Sequence, residues 1–358
     1  MKKLLIMAGT VAAMAACTKG EVVYEDTSAE IGLSPVSYTT TKTVYGPYEG
    51  TSYSQAEQFK VFSQHTASPA GTAFSQASEL APYLVDVTFG CKGTQVEGKD
   101  VWGGTPSPYY WPKTGSLYFT GYSPAAANVE SASYDWNQGG PRLTLTGFEQ
   151  GTYSWTGLAD NPDYHMVDLL YFDVHYTTTS VDGGIQSVTF RHALSWLDFN
   201  FKCATDGLDE LFTIKKVTLK KVGNKETFRS GYGNGSDGWP VPQWSANDEG
   251  KDIVLYDAGM PLTTNLFSVH DVLIIPQNID GVLEIVYDQK AYKDAPSIEQ
   301  VENLTLTGGD GSSDDSKKGQ WIINKHYVYN ITFTADEILL SPSILEWDPA
   351  IVSDIEVK

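Results

Sequence analysis

The chain has 358 residues and a formal charge of −20, from 44 acidic and 24 basic residues. Only three of the bases are arginine (Arg142, Arg191 and Arg229). Clustered cations and bidentate phosphate clamps are both scarce, which excludes a nucleic-acid partner. Apolar residues make up 41% and aromatics 12%, enough to form cores and against disorder over the whole chain. At roughly 150 residues per domain, the length suggests two domains.

The chain opens with Met1-Lys2-Lys3, continues without charge from Leu4 to Ala16, and reaches Cys17. This is the layout of a secretory signal, and the run is shorter than the ~20 residues that span a bilayer. Met14-Ala15-Ala16-Cys17 resembles a bacterial lipobox, with Met14 where Leu is usual. Residues 1–16 are therefore expected to be removed and Cys17 acylated, anchoring the chain in lipid. Residues 17–30 read as a polar tether. Loss of Lys2 and Lys3 takes the mature charge to −22. Cys91 and Cys203 are expected as two free, buried thiols.

Extended patterns then follow in chain order. Leu84–Phe89 and Leu117–Gly121 read as strands. Thr177–Gly184 interrupts the pattern, so an amino-terminal domain is placed at 31–180 and a carboxy-terminal one at 181–358. Leu197, Phe199 and Phe201 alternate with Asp198, Asn200 and Lys202, the period of a half-buried strand. Phe212–Leu219 changes phase at Lys215-Lys216, which predicts a bulge. Residues 230–250 read as a long loop. Leu283, Ile285 and Tyr287 form another alternating strand. Residues 308–319 read as a hairpin tip, and Tyr327, Tyr329, Ile331 and Phe333 as a closing strand. No convincing long amphipathic helix occurs. The expected fold is all-β, in two domains.

Catalytic chemistry finds little support. The six histidines (65, 165, 175, 192, 270 and 326) have no metal-ligand spacing, and Asn234–Gly238 fails as a nucleophile elbow. Asp310, Asp314 and Asp315 do not follow the calcium-loop pattern. No enzyme activity and no cofactor are expected. Aromatics crowd the first half (Trp102, Tyr109, Tyr110, Trp111, Tyr122, Tyr134, Trp136, Tyr153 and Trp155), and Trp239 and Trp244 sit in the long loop. They are read first as core and strand-end packing. The alternative is a monomeric surface lipoprotein that binds glycans, with Trp136 and Trp239 as the platform.

Four ordered stretches carry a resemblance. They are Tyr110-Trp111-Pro112 with Gly115–Pro124, Val188–Phe201, Val272–Gln277, and Trp321–Ile331, in which Asn324 stands where Gly is common. A further echo runs from Ile338 to Trp347. Together they resemble the fimbrillin family, the pilin precursors of type V pili. The resemblance implies two transthyretin-like sandwiches and export as an outer-membrane lipoprotein. It also implies assembly into a cell-surface fimbrium, in which other pilin subunits are the partners. In that family a protease removes an amino-terminal strand of the precursor, and a carboxy-terminal strand from the next subunit fills the groove. The family's cut follows an Arg, but the first Arg here is Arg142. A trypsin-like cut would use Lys42 or Lys60, or be absent. The carboxy-terminal segment 338–357 is apolar enough to be a donor, or it completes its own domain. Stalk, tip and anchor roles stay open, as does a host or bacterial glycan or protein as adhesion ligand.

Overall fold

The computed structural model describes residues 29–36, 53–69, 72, 77–96, 98–135, 142–153, 166–177, 185–230, 242–245, 250–279, 282–311 and 317–347. Among them the regular structure is strand, apart from one short 3-10 turn at Asp206–Leu208. The strands in chain order begin with β1 (Gly32–Val36), β2 (Gln58–Thr66), β3 (Ala81–Val96), β4 (Lys99–Gly104), β5 (Ser116–Ser123) and β6 (Ser131–Asp135). Next come β7 (Arg142–Glu149), β8 (Leu170–Thr177), β9 (Ile185–Thr189), β10 (Arg191–His192), β11 (Ser195–Cys203) and β12 (Phe212–Val222). Then follow β13 (Lys225–Arg229), β14 (Gln243–Trp244), β15 (Lys251–Tyr256), β16 (Met260–Pro261), β17 (Phe267–Ile274) and β18 (Gln277–Asn278). The last five are β19 (Val282–Gln289), β20 (Ile298–Thr305), β21 (Gln320–Trp321), β22 (Lys325–Phe333) and β23 (Ile338–Glu346).

Eight strands form the first sheet in the order β10-β8-β5-β2-β3-β4-β1-β9. Its two outermost strands, β9 and β10, are separated in the chain by Phe190 alone. A one-residue link forces the sheet to curl until its edges meet. The enclosed core holds Leu33, Phe59, Phe89, Trp102, Phe119 and Phe172, each 1% exposed or less. The first sheet therefore draws strands from both sides of residue 180.

Two further sheets, β17-β11-β22-β23 and β15-β12-β19-β20, pack face to face. Phe333 of the former meets Phe212 and Tyr287 of the latter at ring distances of 5.3 Å each. The alternation expected for β11 is present, with Leu197, Phe199 and Phe201 fully buried and Asn200 half-buried on the opposite face. The expected phase change in β12 appears as a register shift against β19 between Ile214 and Lys216.

A fourth sheet, β14-β13-β7-β6, joins strands from before residue 150 to strands from after residue 224. It covers the outer face of the first sheet, where Phe62 meets Tyr134 at 6.2 Å and Tyr171 meets Phe228 at 5.0 Å. This explains why all eight residues of β5 are buried. Leu117 and Phe119 face the first core, while Tyr122 lies under the covering sheet. A strand covered on both faces loses its alternation.

Two expectations need correction. Cys203 is buried, but Cys91 is only half-buried; both are free thiols. The stretch read as a long loop contains β14, which pairs with Phe228 and Arg229. It does so because Trp244 finds an aromatic bed on Phe148 and Phe228.

Candidate functional site

The amino-terminal strand β1 lies in a slot between β4 and β9. Gly32 and Leu33 pair antiparallel with Gly103 and Trp102. On the other side, all five residues pair in parallel with Ile185–Thr189. The entrance is held by Ile31 N–H donating to Tyr109 O at 2.7 Å and Trp111 N–H donating to Ala29 O at 3.0 Å. The motif Tyr110-Trp111-Pro112 thus grips the start of β1. Outside the slot, Lys92 Nζ lies 3.2 Å from Glu30 Oε1.

Inside, Ile31 to Pro35 are all buried, with Ile31 and Leu33 at 0% exposure. The slot is lined by Trp102, Trp111, Val188 and Phe190 of the same core. Tyr53 stacks on Phe190 at 5.3 Å and meets Trp102 edge-on at 5.6 Å. Its hydroxyl pairs with Ser123 Oγ. Apolar walls and two rows of backbone partners are what an extended peptide needs from a docking slot.

The segment between β1 and β2 carries Lys42, which lies outside the described residues, as do Cys17, Trp136 and Trp239. Lys60, the other basic residue considered for cleavage, is in the middle of β2. There it pairs with Thr88 and Tyr122, and its ammonium is 3.5 Å from Asp86. Both backbone edges at Lys60 are occupied, so a protease cannot take it as an extended substrate.

Residues 40–347 match the family described as fimbrillin-like. This chain belongs to that family. Among solved structures, a fimbrial protein from Bacteroides vulgatus superposes with a TM-score of 0.52 at 17% identity, covering 89% of this chain and 99% of the other. A proposed cell adhesion protein from Bacteroides uniformis gives 0.51 at 12% identity, covering 90% and 100%. At these identities the likeness is one of fold. No curated protein matches the chain at a significant level.

At the other end of this fimbrillin-like chain, β23 pairs with β22 in nine consecutive register positions. It is the edge strand of its sheet, and Pro342 has no N–H to offer on the free side. Its side chains are thinly covered, with Leu339 and Leu345 nearly half exposed. As far as residue 346, the segment considered as a donor completes its own sheet.

Three of the six histidines meet carboxylates in space. His192 Nδ1 is 2.9 Å from Asp168 Oδ2, His270 Nδ1 is 2.8 Å from Asp271 Oδ2, and His326 Nε2 is 2.8 Å from Asp198 Oδ2. Trp196 stacks on His326 at 3.7 Å and donates its indole N–H to Asp198 at 2.9 Å. Each carboxylate is spent on orienting a ring or a backbone N–H. Asp271 N–H, for instance, donates to Asp198 Oδ1 at 2.8 Å.

One acid is placed differently. Asp173 on β8 lies fully under the covering sheet, and neither carboxylate oxygen makes a hydrogen bond of good geometry among the described residues. Burial pushes its pKa up to about 7, offset only in part by the Thr120 and Ser230 hydroxyls and the Arg191 guanidinium. The same burial, with Asp173 beside it, raises Tyr134.

Four of the seven first-half aromatics among the described residues are core material. Trp102, Trp111, Tyr122 and Tyr153 are 6% exposed or less, whereas Tyr110 is 39% exposed. Among the hairpin-tip acids, Asp310 is paired with Lys317.

Proposed function

We propose that this chain is a non-catalytic pilus subunit or accessory adhesin. It is exported as a lipoprotein through Cys17, displayed at the outer membrane, and joined to its neighbours by strand exchange. Membership of the fimbrillin-like family supports the surface-fibre role, as do the names of structurally similar proteins, one fimbrial and one assigned to cell adhesion. The carrying observation is the placement of β1. It is buried from Gly32 to Pro35, paired on both sides, and precedes Lys42 in the chain. A cut after Lys42 frees β1 from the rest of the chain. Its departure bares the backbone of β4 and β9 and the apolar walls around Trp102 and Phe190, which a strand from a second copy then covers.

In this reading the subunit has two tandem sandwich units. The seam falls at Ala193–Leu194 rather than at 180/181, because β9 and β10 complete the first sheet. The sheet β14-β13-β7-β6 then straps the units together. Head-to-tail exchange between such subunits does not close on itself and builds a filament.

N-terminal sequencing of the surface form, paired with gel analysis of sheared fibres, tests this. The expected result is a start at Thr43 and a high-mass ladder that survives mild SDS and collapses on boiling. Lys42→Ala should hold the chain as an unprocessed precursor with no ladder. A wild-type surface form that is monomeric under every condition overturns the proposal.

A further inference from the structure

A cleft of about 450 Å³ opens between β14, β18 and β21, a size within the usual ligand range of about 300–1,000 Å³. Its ten lining residues include no charged side chain, in a chain where 19% of residues are charged. A phosphorylated, sulfated or carboxylated ligand would find no counter-charge in the lining.

The floor is rigid and aromatic. Trp244 donates its indole N–H to Ala193 O at 2.7 Å, and its ring leans on Phe148 and Phe228 at 5.6 and 5.1 Å. Pro242 and Pro276 extend the apolar surface. Gln277 builds the wall, and both its amide hydrogens are committed to the backbone. Its Nε2 donates to Gly223 O at 3.1 Å and Ile275 O at 2.8 Å, while its Oε1 accepts Gly223 N–H at 2.9 Å.

The rim is different. Asn278 and Gln320 sit directly opposite each other in the β18–β21 pair. Both are exposed, and neither side chain has a hydrogen-bond partner among the described residues. Each primary amide offers two donors and one acceptor. Paired over an aromatic floor, they match vicinal hydroxyls, which donate and accept together, while a pyranose C–H face rests on Trp244. A purely apolar ligand would leave both amides unpaired, at a desolvation cost.

We propose that this cleft binds a neutral saccharide, with Trp244 as the stacking floor and Asn278 and Gln320 as the hydroxyl readers. The site is independent of strand exchange. It also differs from the platform of Trp136 and Trp239 expected from the sequence.

The test uses the full mature chain, titrated with neutral gluco-, manno- and galacto-configured oligosaccharides by calorimetry and tryptophan fluorescence. Sialylated and sulfated sugars and an uncharged Pro-rich peptide run in parallel. The expected result is saturable binding of at least one neutral sugar and no binding of the charged ones. The double variant Asn278→Ala/Gln320→Ala should weaken that binding at least about tenfold, each lost hydrogen bond costing about fivefold. Its unfolding midpoint should stay unchanged, since neither amide supports the fold. Trp244→Phe keeps the aromatic packing and should weaken binding by a smaller factor. No neutral sugar binding at about 10 mM overturns the proposal. So does equal binding by the double variant, or binding of the peptide alone. Fibre ladders formed equally by wild type and double variant keep the outcome separate from that of strand exchange.

Discussion

The His192 imidazole stacks on the Trp347 indole, with ring centroids 3.7 Å apart and 15° between the planes. His192 belongs to β10 of the first sheet, and Trp347 follows β23, the last strand of another sheet. Asp168 holds the imidazole from behind, both side chains being about 5% exposed. Trp347 also leans on Trp196 at 5.6 Å, which carries the ring row on to His326. Among the described side chains of residues 338–347, Trp347 alone is buried. It is the fastening of a strand that is otherwise held by backbone pairing and partial cover.

Trp347→Ala should therefore cost about 3–5 kcal/mol of stability, the range for deleting a buried large aromatic. Trp347→Phe should cost less. Urea unfolding gives the magnitude, and amide exchange should show β23 losing protection ahead of β22. An unchanged midpoint for Trp347→Ala would mean that β23 is held some other way.

If the chain is cut after Lys42 as proposed, Leu33 separates the unprocessed from the processed subunit. It is fully buried in the slot, so Leu33→Ala should cost about 2–5 kcal/mol in the uncut chain. After a cut at Lys42 and loss of β1, the same substitution should have no effect on the remaining chain. Thermal unfolding of both forms checks this. An equal loss in each would place the cut elsewhere or show that β1 stays bound.

Asp173 should make stability depend on pH in a direction opposite to that of a salt-bridged carboxylate. Its folded pKa, about 7, lies above the ordinary 3.8. Between these values the unfolded chain has released a proton that the folded chain keeps. Stability therefore falls as pH rises from about 4 to about 7, then levels off. Asp173→Asn should remove this slope and stabilise the protein at pH 8 by at most about 4 kcal/mol. Urea midpoints at pH 5 and pH 8 decide it; a variant whose advantage is the same at both would contradict the buried-acid account.

Asn324 occupies a left-handed backbone position, with φ of 61°. Its N–H donates to Leu194 O at 2.9 Å, and its side-chain oxygen is buried with no partner among the described residues. Asn324→Ala keeps the strained backbone and should cost about 1–2 kcal/mol. Asn324→Gly relieves both problems and should raise stability by about 1 kcal/mol. Chemical denaturation of the pair gives the sign.

That residue also shows what the sequence made legible. Asn324 stands where the family commonly has Gly, and its left-handed backbone supplies the reason. Alternation identified β11, β19 and β22, and the adjacent Lys215 and Lys216 marked a real register shift. Period-2 patterning reports which face a residue takes, but says nothing of which strand lies beside it. The parallel pairing of β1 with β9, which places Gly32 beside Ile185, was therefore invisible. So was the pairing of β7 with β13 across the two halves. The segment Ile31–Val36 is too short and too interrupted by Gly32 and Pro35 to alternate, yet it fills the slot. The contacts of His192, Trp347 and Asp168 join residues far apart in sequence, and no spacing rule could have gathered them.

The single residue Phe190 between β9 and β10 has a consequence for the shape of a polymer. With those two margins drawn together, the place held by β1 is one where a guest strand gains partners on both sides, β4 and β9. Exchange confined to that sheet gives each subunit a valence of one as acceptor. If the proposed exchange operates, subunits of that valence add one behind another, so a fibre would lengthen without branch points, its thickness set by one molecule rather than by concentration.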